Sequence, residues 1–375
     1  MRRTLEGKMI VLAVTGSIAA VETVKLAHEL RRKGATVQAV MSEAAAGILN
    51  PASLTYATGR ETIVTISGHV EHVIYSGDEM AASLLLIAPC TANTIGKIAT
   101  GIDDTTVTTF ATTALGSGQP VVLVPAMHHS MYRHPAVTRN LKTLEEFGVD
   151  LVPPRIEEGK AKIATIDEIV LYAERAVLGR PLAGEKIVIT SGPCREPLDD
   201  VRVLTTRSTG QMGRAIAYEA FRLGADVTVI HNDHFPAVRN IRIETAAEMK
   251  DAVIGMIDKG ITAYISAAAI SDYAPERIFG KIPSGTEQDI HLLPLPKVID
   301  YALAFPSIRT IGFKLGDDAA IGGRDLIRRG ASLVVANPPS AMGSETAPFL
   351  LMTGEREYTV HTKEEVAQAI CRHLS

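Results

Sequence analysis

Twice in this chain a short, unbroken apolar run stops at a glycine turn and hands over to a segment with helical spacing. Met9–Val14 is followed by Thr15-Gly16-Ser17 and by Ile18–Lys33, which ends at Gly34, and Thr36–Met41 is the next apolar run. The second cycle starts at Lys186. It runs through Ile187–Thr190, the turn Ser191-Gly192-Pro193, the helical stretch Gly213–Leu223 up to Gly224, and Asp226–Ile230. Leu84–Ala88 and Val121–Val124 extend the first cycle; Ile261–Ser266, Thr310–Phe313 and Leu333–Ala336 extend the second. Continuous apolar strands alternating with helices imply βαβ units, because a strand buried on both faces has no polar side to show. The expected fold is α/β, with two Rossmann-like three-layer domains built on mainly parallel sheets.

A chain of 375 residues is too long for one ordinary core. Gly and Pro gather in Leu178–Gly184, between a helix and a fresh strand, so the boundary is expected there: 1–182 and 183–375. The two cycles share a βαβ pattern but no sequence repeat. With 38 basic and 42 acidic residues the formal charge is −4, which gives no global field to hold nucleic acid. The cysteines Cys90, Cys194 and Cys371 lie far apart without a CxxC pair. That argues against a disulfide framework and a structural zinc site, and for a reducing, cytoplasmic compartment. Met9–Val14 is too short for a signal h-region or a membrane span.

In the first half three polar segments follow three strands. Thr15-Gly16-Ser17-Ile18-Ala19-Ala20 opens the first helix, where small residues let backbone N–H groups approach an anion. Ala88-Pro89-Cys90-Thr91-Ala92-Asn93-Thr94 places hydroxyls and an amide at the carboxyl edge of the sheet, where doubly wound folds bind polar ligands. Pro125-Ala126-Met127-His128-His129-Ser130-Met131-Tyr132 is the third. Each alone is an ordinary turn, but together they converge on one side of the sheet.

The order of these segments resembles the flavin-dependent cysteine decarboxylases, with their GSIAA turn, APxTANT segment and PAMN-type loop, over roughly Lys8 to Leu178. The resemblance implies flavin mononucleotide held by Gly16, Ser17, Ile18, Thr91, Ala92 and Asn93, with Ser42 and Met127 as further contacts. It implies a catalytic histidine before the third strand, for which His72 is the match and His69 the competitor. The family's PAMN asparagine, which meets the substrate carboxylate, is His128 here; an imidazole can still donate a hydrogen bond to that group. The family's clamp cysteine has no counterpart near Glu157–Lys162, which leaves the reductive proton donor open. In the implied chemistry the flavin oxidises a thiol to a thioaldehyde, carbon dioxide leaves, and the ene-thiol is reduced.

In the second half, Thr190–Arg202 and Ser208-Thr209-Gly210-Gln211-Met212-Gly213 resemble the SGPTxEPIDPVR and NxSSGKMG motifs of phosphopantothenate–cysteine ligases, over roughly Gly184 to Ser375. Ala267-Ala268-Ala269-Ile270-Ser271-Asp272 matches the AAxxD segment, Gly280-Lys281-Ile282 the lysine motif, Ile311-Gly312-Phe313-Lys314 the GF segment, and Val335-Ala336-Asn337 the VAN strand end. The resemblance implies a nucleotide site of Ala267, Ala268, Ala269, Asp272, Lys281 and Phe313, with Lys281 catalytic on a mobile loop. It also implies a phosphate contact among Arg324, Arg328 and Arg329, of which Arg329 fits best. Thr206, Ser208 and Gly210 are the implied substrate contacts. Three positions depart from the motifs: Cys194 for Thr, Gln211 for Lys and Thr206 for Asn.

The function this implies is a bifunctional enzyme of coenzyme A synthesis. Its second half would join 4′-phosphopantothenate to cysteine through an acyl-cytidylate made from CTP with Mg²⁺, and its first would decarboxylate the product with FMN. Trimeric contacts are implied for the first half and dimeric ones for the second. Two rivals stand beside it: a ligase carrying an idle flavoprotein domain, and a flavin-binding subunit without chemistry.

Overall fold

The computed structural model describes residues 2–285, 287–341, 344 and 346–375. The chain divides into two compact units, Met1–Gly179 and Arg180–Ser375.

The strands of the first unit are, in chain order, β1 (Met9–Val14), β2 (Thr36–Met41), β3 (Leu84–Cys90), β4 (Val121–Pro125), β5 (Met127–His128), β6 (Asp150–Leu151), β7 (Arg155–Glu157) and β8 (Lys160–Lys162). The main sheet has the order β2-β1-β3-β4-β6 and every pairing in it is parallel. Alternate side chains of β1 feed opposite faces: Ile10, Leu12 and Val14 join one core, Val11 and Ala13 the other. That explains the unbroken apolar runs, since each residue in them enters a core, worth about 1.5–3 kcal/mol for a fully buried large aliphatic side chain. A small antiparallel sheet, β5-β8-β7, stands apart from the main one.

The second unit contains β9 (Lys186–Thr190), β10 (Arg195–Pro197), β11 (Val203–Thr205), β12 (Asp226–His231), β13 (Arg239–Arg242), β14 (Ala263–Ser266), β15 (Tyr273–Pro275), β16 (Leu292–Pro294), β17 (Arg309–Leu315), β18 (Leu333–Asn337), β19 (Thr346–Met352) and β20 (Glu357–Thr362). Its main sheet runs β13-β12-β9-β14-β17-β18-β19-β20. The first six strands are mutually parallel, β19 pairs antiparallel with β18, and β20 pairs antiparallel with β19.

The expected α/β architecture with mainly parallel sheets is present in both units. One local expectation needs correction. The helix read as Ile18–Lys33 opens with a 3₁₀ turn, Ile18–Glu22, and becomes α-helical only over Thr23–Arg32. The Thr23 hydroxyl donates to the Ala20 carbonyl at 2.6 Å, tightening the backbone at that changeover.

Candidate functional site

In the first unit the polar segments at the ends of β1, β2, β3 and β4 form one cavity of about 540 Å³. Gly16, Ser17, Ser42, Thr91, Ala92, Asn93, Met127 and His128 all line it. Local capping puts the hydroxyls there. Ser17 accepts from the Ala19 amide at 3.4 Å, Ser42 from Ala45 at 3.3 Å and Thr91 from Thr94 at 3.3 Å. Each is the N-cap of its own element, so the chain's open N–H groups gather at the same edge. Thr91 is also fixed across the sheet, its amide donating to the Thr15 hydroxyl at 3.1 Å. Gly16 has a packing reason as well. A Cβ there would lie 2.6 Å from the Ala44 Cβ, so any side chain would push the turn off the Ser42 segment.

A second cavity of about 710 Å³ adjoins the first and shares Ser17, Ala126, Met127 and His128 with it. Ile18, 78% exposed, lines this one rather than the first. Its far wall is the β7–β8 hairpin, whose turn takes positive φ at Glu158 and Gly159. Ladder pairing of Met127 with Ala161 and His128 with Lys160 ties that hairpin to the loop after β4. Arg155, Lys160 and Lys162 bring cations to the wall, with Lys162 paired to Glu158 at 3.0 Å and Glu157 at 3.3 Å. These cations were not singled out from the sequence; the charged run around Gly159 is the signal that pointed to them.

His72 lines neither cavity. It sits half-buried on the short helix Glu71–Ser76, edge-on to Phe110 with ring centroids 6.5 Å apart. Its Nδ1 is buried and has no hydrogen-bond partner among the described residues. His69 is exposed, just ahead of that helix.

The second unit has a cavity of about 480 Å³ at the carboxyl ends of β14 and β17. Thr206, Ser208, Gly210, Ala267, Ala268, Ala269, Asp272 and Phe313 all line it. The helix Gln211–Arg222 starts here without a side-chain cap, because Gly210 in the left-handed region (φ 70) carries no side chain to supply one. Its first-turn amides therefore stay open toward the cavity, a favourable place for phosphate. Gly213 is needed for close approach: a Cβ would meet the Ser191 Oγ at 2.2 Å. Thr206 spends its hydroxyl proton on the Ala269 carbonyl at 3.2 Å. Cys194 is buried, and burial, then the carboxylates of Glu196 and Glu248, push its thiol up to about 12, so it is no nucleophile near neutral pH.

Two predicted residues are not brought in. Arg329 is paired with Asp300 at 2.6 Å, and Lys281 is exposed and off the cavity wall. The neighbours of Lys281 are anchored. The Ile282 amide donates to Asp199 at 3.0 Å and the Gly280 amide to Asp200 at 3.1 Å. In place of Lys281 and Arg329 the wall carries Lys297, Lys363 and Lys314, the last within the GF segment, and the motifs gave none of the three a role.

The Asp199 anchor has a pH signature. Burial disfavours its charge, but the amides of Ile282, Val201 and Arg202, with the Arg202 guanidinium, outweigh that and hold the carboxyl at about 2. A carboxyl depressed below its unfolded value of about 3.9 stabilises the fold above that value and stops doing so as pH falls through about 2. Hydrogen exchange should show the Ile282 amide losing protection between about pH 4 and pH 2. In Asp199→Ala it should be unprotected throughout. Parent protection that is flat across this window would remove Asp199 as the anchor.

These features define two α/β units, each with a ligand-sized cavity at the carboxyl ends of its parallel strands. Residues 1–177 match the Flavoprotein family, and 182–375 match the DNA/pantothenate metabolism flavoprotein C-terminal domain. The chain is 43% identical to the coenzyme A biosynthesis bifunctional protein CoaBC of Thermococcus kodakarensis, over 98% of this chain and 95% of that one. Against the protein of that name from Escherichia coli the identity is 32%, over 98% and 96%. A solved C-terminal domain of a CoaBC protein aligns at 27% identity over 52% of this chain and 95% of that one, with TM-score 0.44. The chain belongs to the CoaBC family. It is a bifunctional enzyme of coenzyme A biosynthesis with decarboxylase and ligase activities, as the sequence resemblance implied.

Proposed function

We propose that the second unit joins 4′-phosphopantothenate to cysteine by way of an acyl-cytidylate formed from CTP, and that the first unit decarboxylates the product with FMN. The observation that carries this reading is the convergence of Gly16, Ser17, Ser42, Thr91, Ala92, Asn93, Met127 and His128 on one cavity with a second alongside. The cavity's size suits a cofactor, and its capping hydroxyls and amides suit a phosphorylated polar one. Bound there, FMN supplies the redox chemistry that makes a carboxylate beta to a thiol able to leave as carbon dioxide.

The chain's own side chains do the rest. Arg155, Lys160 and Lys162 offer positive charge to an anionic substrate in the adjoining cavity, and His128 offers a hydrogen bond to its carboxylate. The half-buried imidazole of His72 is proposed as the proton-transferring group. Around it, Val70, Val73 and Ile74 are 46%, 48% and 51% exposed, an apolar patch that suits contact with another copy. A trimer of the first unit closing on that patch would bring His72 to a neighbour's cavity, and a dimer is proposed for the second unit. In the second unit Asp272, Phe313 and the open amides after Gly210 receive the nucleotide. Mg²⁺ would arrive with the triphosphate, because the described residues contain no cluster of three or more His, Cys, Asp or Glu to hold it. No helix among the described residues is long and apolar enough to cross a membrane.

The purified full chain should carry flavin absorbance or take up added FMN. Given phosphopantothenate, cysteine and CTP, it should yield both phosphopantothenoylcysteine and phosphopantetheine by mass analysis. A colourless protein that takes up no FMN sinks the first half of the proposal. The second reading, a ligase with an idle flavoprotein unit, rests on the absence of a cysteine from the 155–162 hairpin. It predicts that the reaction stops at phosphopantothenoylcysteine.

A further inference from the structure

We infer that Lys314 and Lys297 form a phosphate clamp already assembled in the second unit's larger cavity, holding the phosphate chain of the nucleotide before any bond is made. This rests on the ligase reading given above and assigns side chains to which the motifs gave no role.

Lys314 ends the buried part of β17, directly after Phe313, and its register partner is Ala336 of β18. Its aliphatic stem runs beside Gly322 of the helix Ala319–Arg328, where a Cβ on that glycine would touch it at 3.5 Å. The ammonium is thereby carried onto the cavity wall with the residue half-buried. It makes no ion pair or hydrogen bond with the described residues, although acids lie in its surroundings at Asp272 and Asp325. Burial, followed by the like charges of Lys297 and Arg329, holds it below the ordinary lysine range.

Of the charged residues described on this wall, three are lysines (Lys297, Lys314 and Lys363) and one is an acid, Asp272. Lys363 already donates to Gln211, and Arg329 is held by Asp300. Among the described residues, no hydrogen bond or ion pair holds the side chain of Lys297 or Lys314. A cation taken partly out of water beside a second cation is costly unless an anion joins them. Lys314 is such a cation, and the exposed Lys297 stands near enough to add its like charge; together they suit a ligand with more than one negative charge, which a nucleotide triphosphate supplies. The phosphate of the second substrate has a separate candidate place. A smaller cavity of about 220 Å³ lies on the other side of Ser208–Gly210 and holds Arg195 and Arg214.

The test uses the full chain and measures binding without turnover. CTP and cytidine are titrated calorimetrically against the parent, Lys314→Met, which keeps the stem, and Lys314→Arg, which keeps the charge. Lys314→Met should weaken CTP by roughly 10- to 100-fold, the loss expected for one hydrogen bond to a charged group. It should change cytidine less than about twofold, and Lys314→Arg should recover most of the CTP affinity. Equal CTP affinity in parent and Lys314→Met overturns the clamp and leaves the ligase reading intact. An unchanged CTP affinity with a raised KM for phosphopantothenate also overturns it, assigning the lysine to the other phosphate. A parent that binds no CTP and ligates nothing overturns the ligase reading itself. A thermal melt matching the parent's shows that Lys314→Met is folded.

Discussion

His72→Asn is expected to lower decarboxylation of supplied phosphopantothenoylcysteine by about two to four orders of magnitude, the usual worth of a positioned proton-transfer group. CTP-dependent ligation should run at the parent rate, because the two activities are proposed for separate units. The geometry favours His72 over His69. Its ring rests on Phe110 and its Nδ1 is buried with no partner, whereas His69 lies exposed with only its backbone amide tied to Ser67. A buried imidazole nitrogen with no partner among the described residues is costly to keep, which marks this ring as one held for more than packing. Asparagine preserves size and polarity but does not titrate, so loss of rate with retained flavin absorbance isolates the proton role. Parent-like carbon dioxide release from His72→Asn, or the same phenotype from His69→Asn instead, would end the assignment.

Lys281→Gln should slow acyl-cytidylate formation by roughly two to three orders of magnitude, since removing one donor aimed at developing charge costs about 3–4 kcal/mol. Lys281 is exposed and off the cavity wall, while Lys314 and Lys297 are already on it. The two kinds of lysine should therefore separate kinetically. A group in place beforehand strengthens ground-state binding and acts on KM and Kd. A group that reaches the site only when its segment closes, or when a neighbouring copy presents it, acts on kcat. Lys281→Gln is thus expected to bind CTP within about twofold of the parent yet turn over far more slowly. Gly280 supplies the positive φ (84°) at the bend, and Asp199 and Asp200 hold the base of the segment without touching the lysine head. Flavin absorbance and decarboxylation should be unaffected. Near-normal ligation at saturating CTP would make Lys281 an ordinary surface lysine.

Much of this was legible because it is local. A short apolar run is decided by its own composition, and β1, β3, β9 and β18 lie where such runs lie. N-caps are equally local: Ser17 and Thr91 stood in polar segments after strands, Ser42 came from the family resemblance, and all three meet in one cavity. The antiparallel end of the second sheet was not read. β20 alternates exposed and half-buried residues at the sheet edge and offers no apolar run to notice. The 3₁₀ start of the first helix was missed as well, because helical spacing does not distinguish a tight first turn from an α-helical one.

By itself the sequence determined the α/β cycles, the strand ends where ligands gather, and the family. Tertiary structure alone decided which charges stand free. Arg329 was the expected phosphate contact, but Asp300, twenty-nine positions away, pairs with it, while Lys314 makes no ion pair with the described residues. Asp199 anchors Ile282 across eighty-three positions, and Lys297 joins Lys314 on one wall only because β17 and the segment before helix Val298–Leu303 fold together. Secondary structure follows from short-range sterics and burial period, which neighbouring residues carry. Electrostatics act through space, so the availability of a charge is fixed only once the chain has brought its distant residues together.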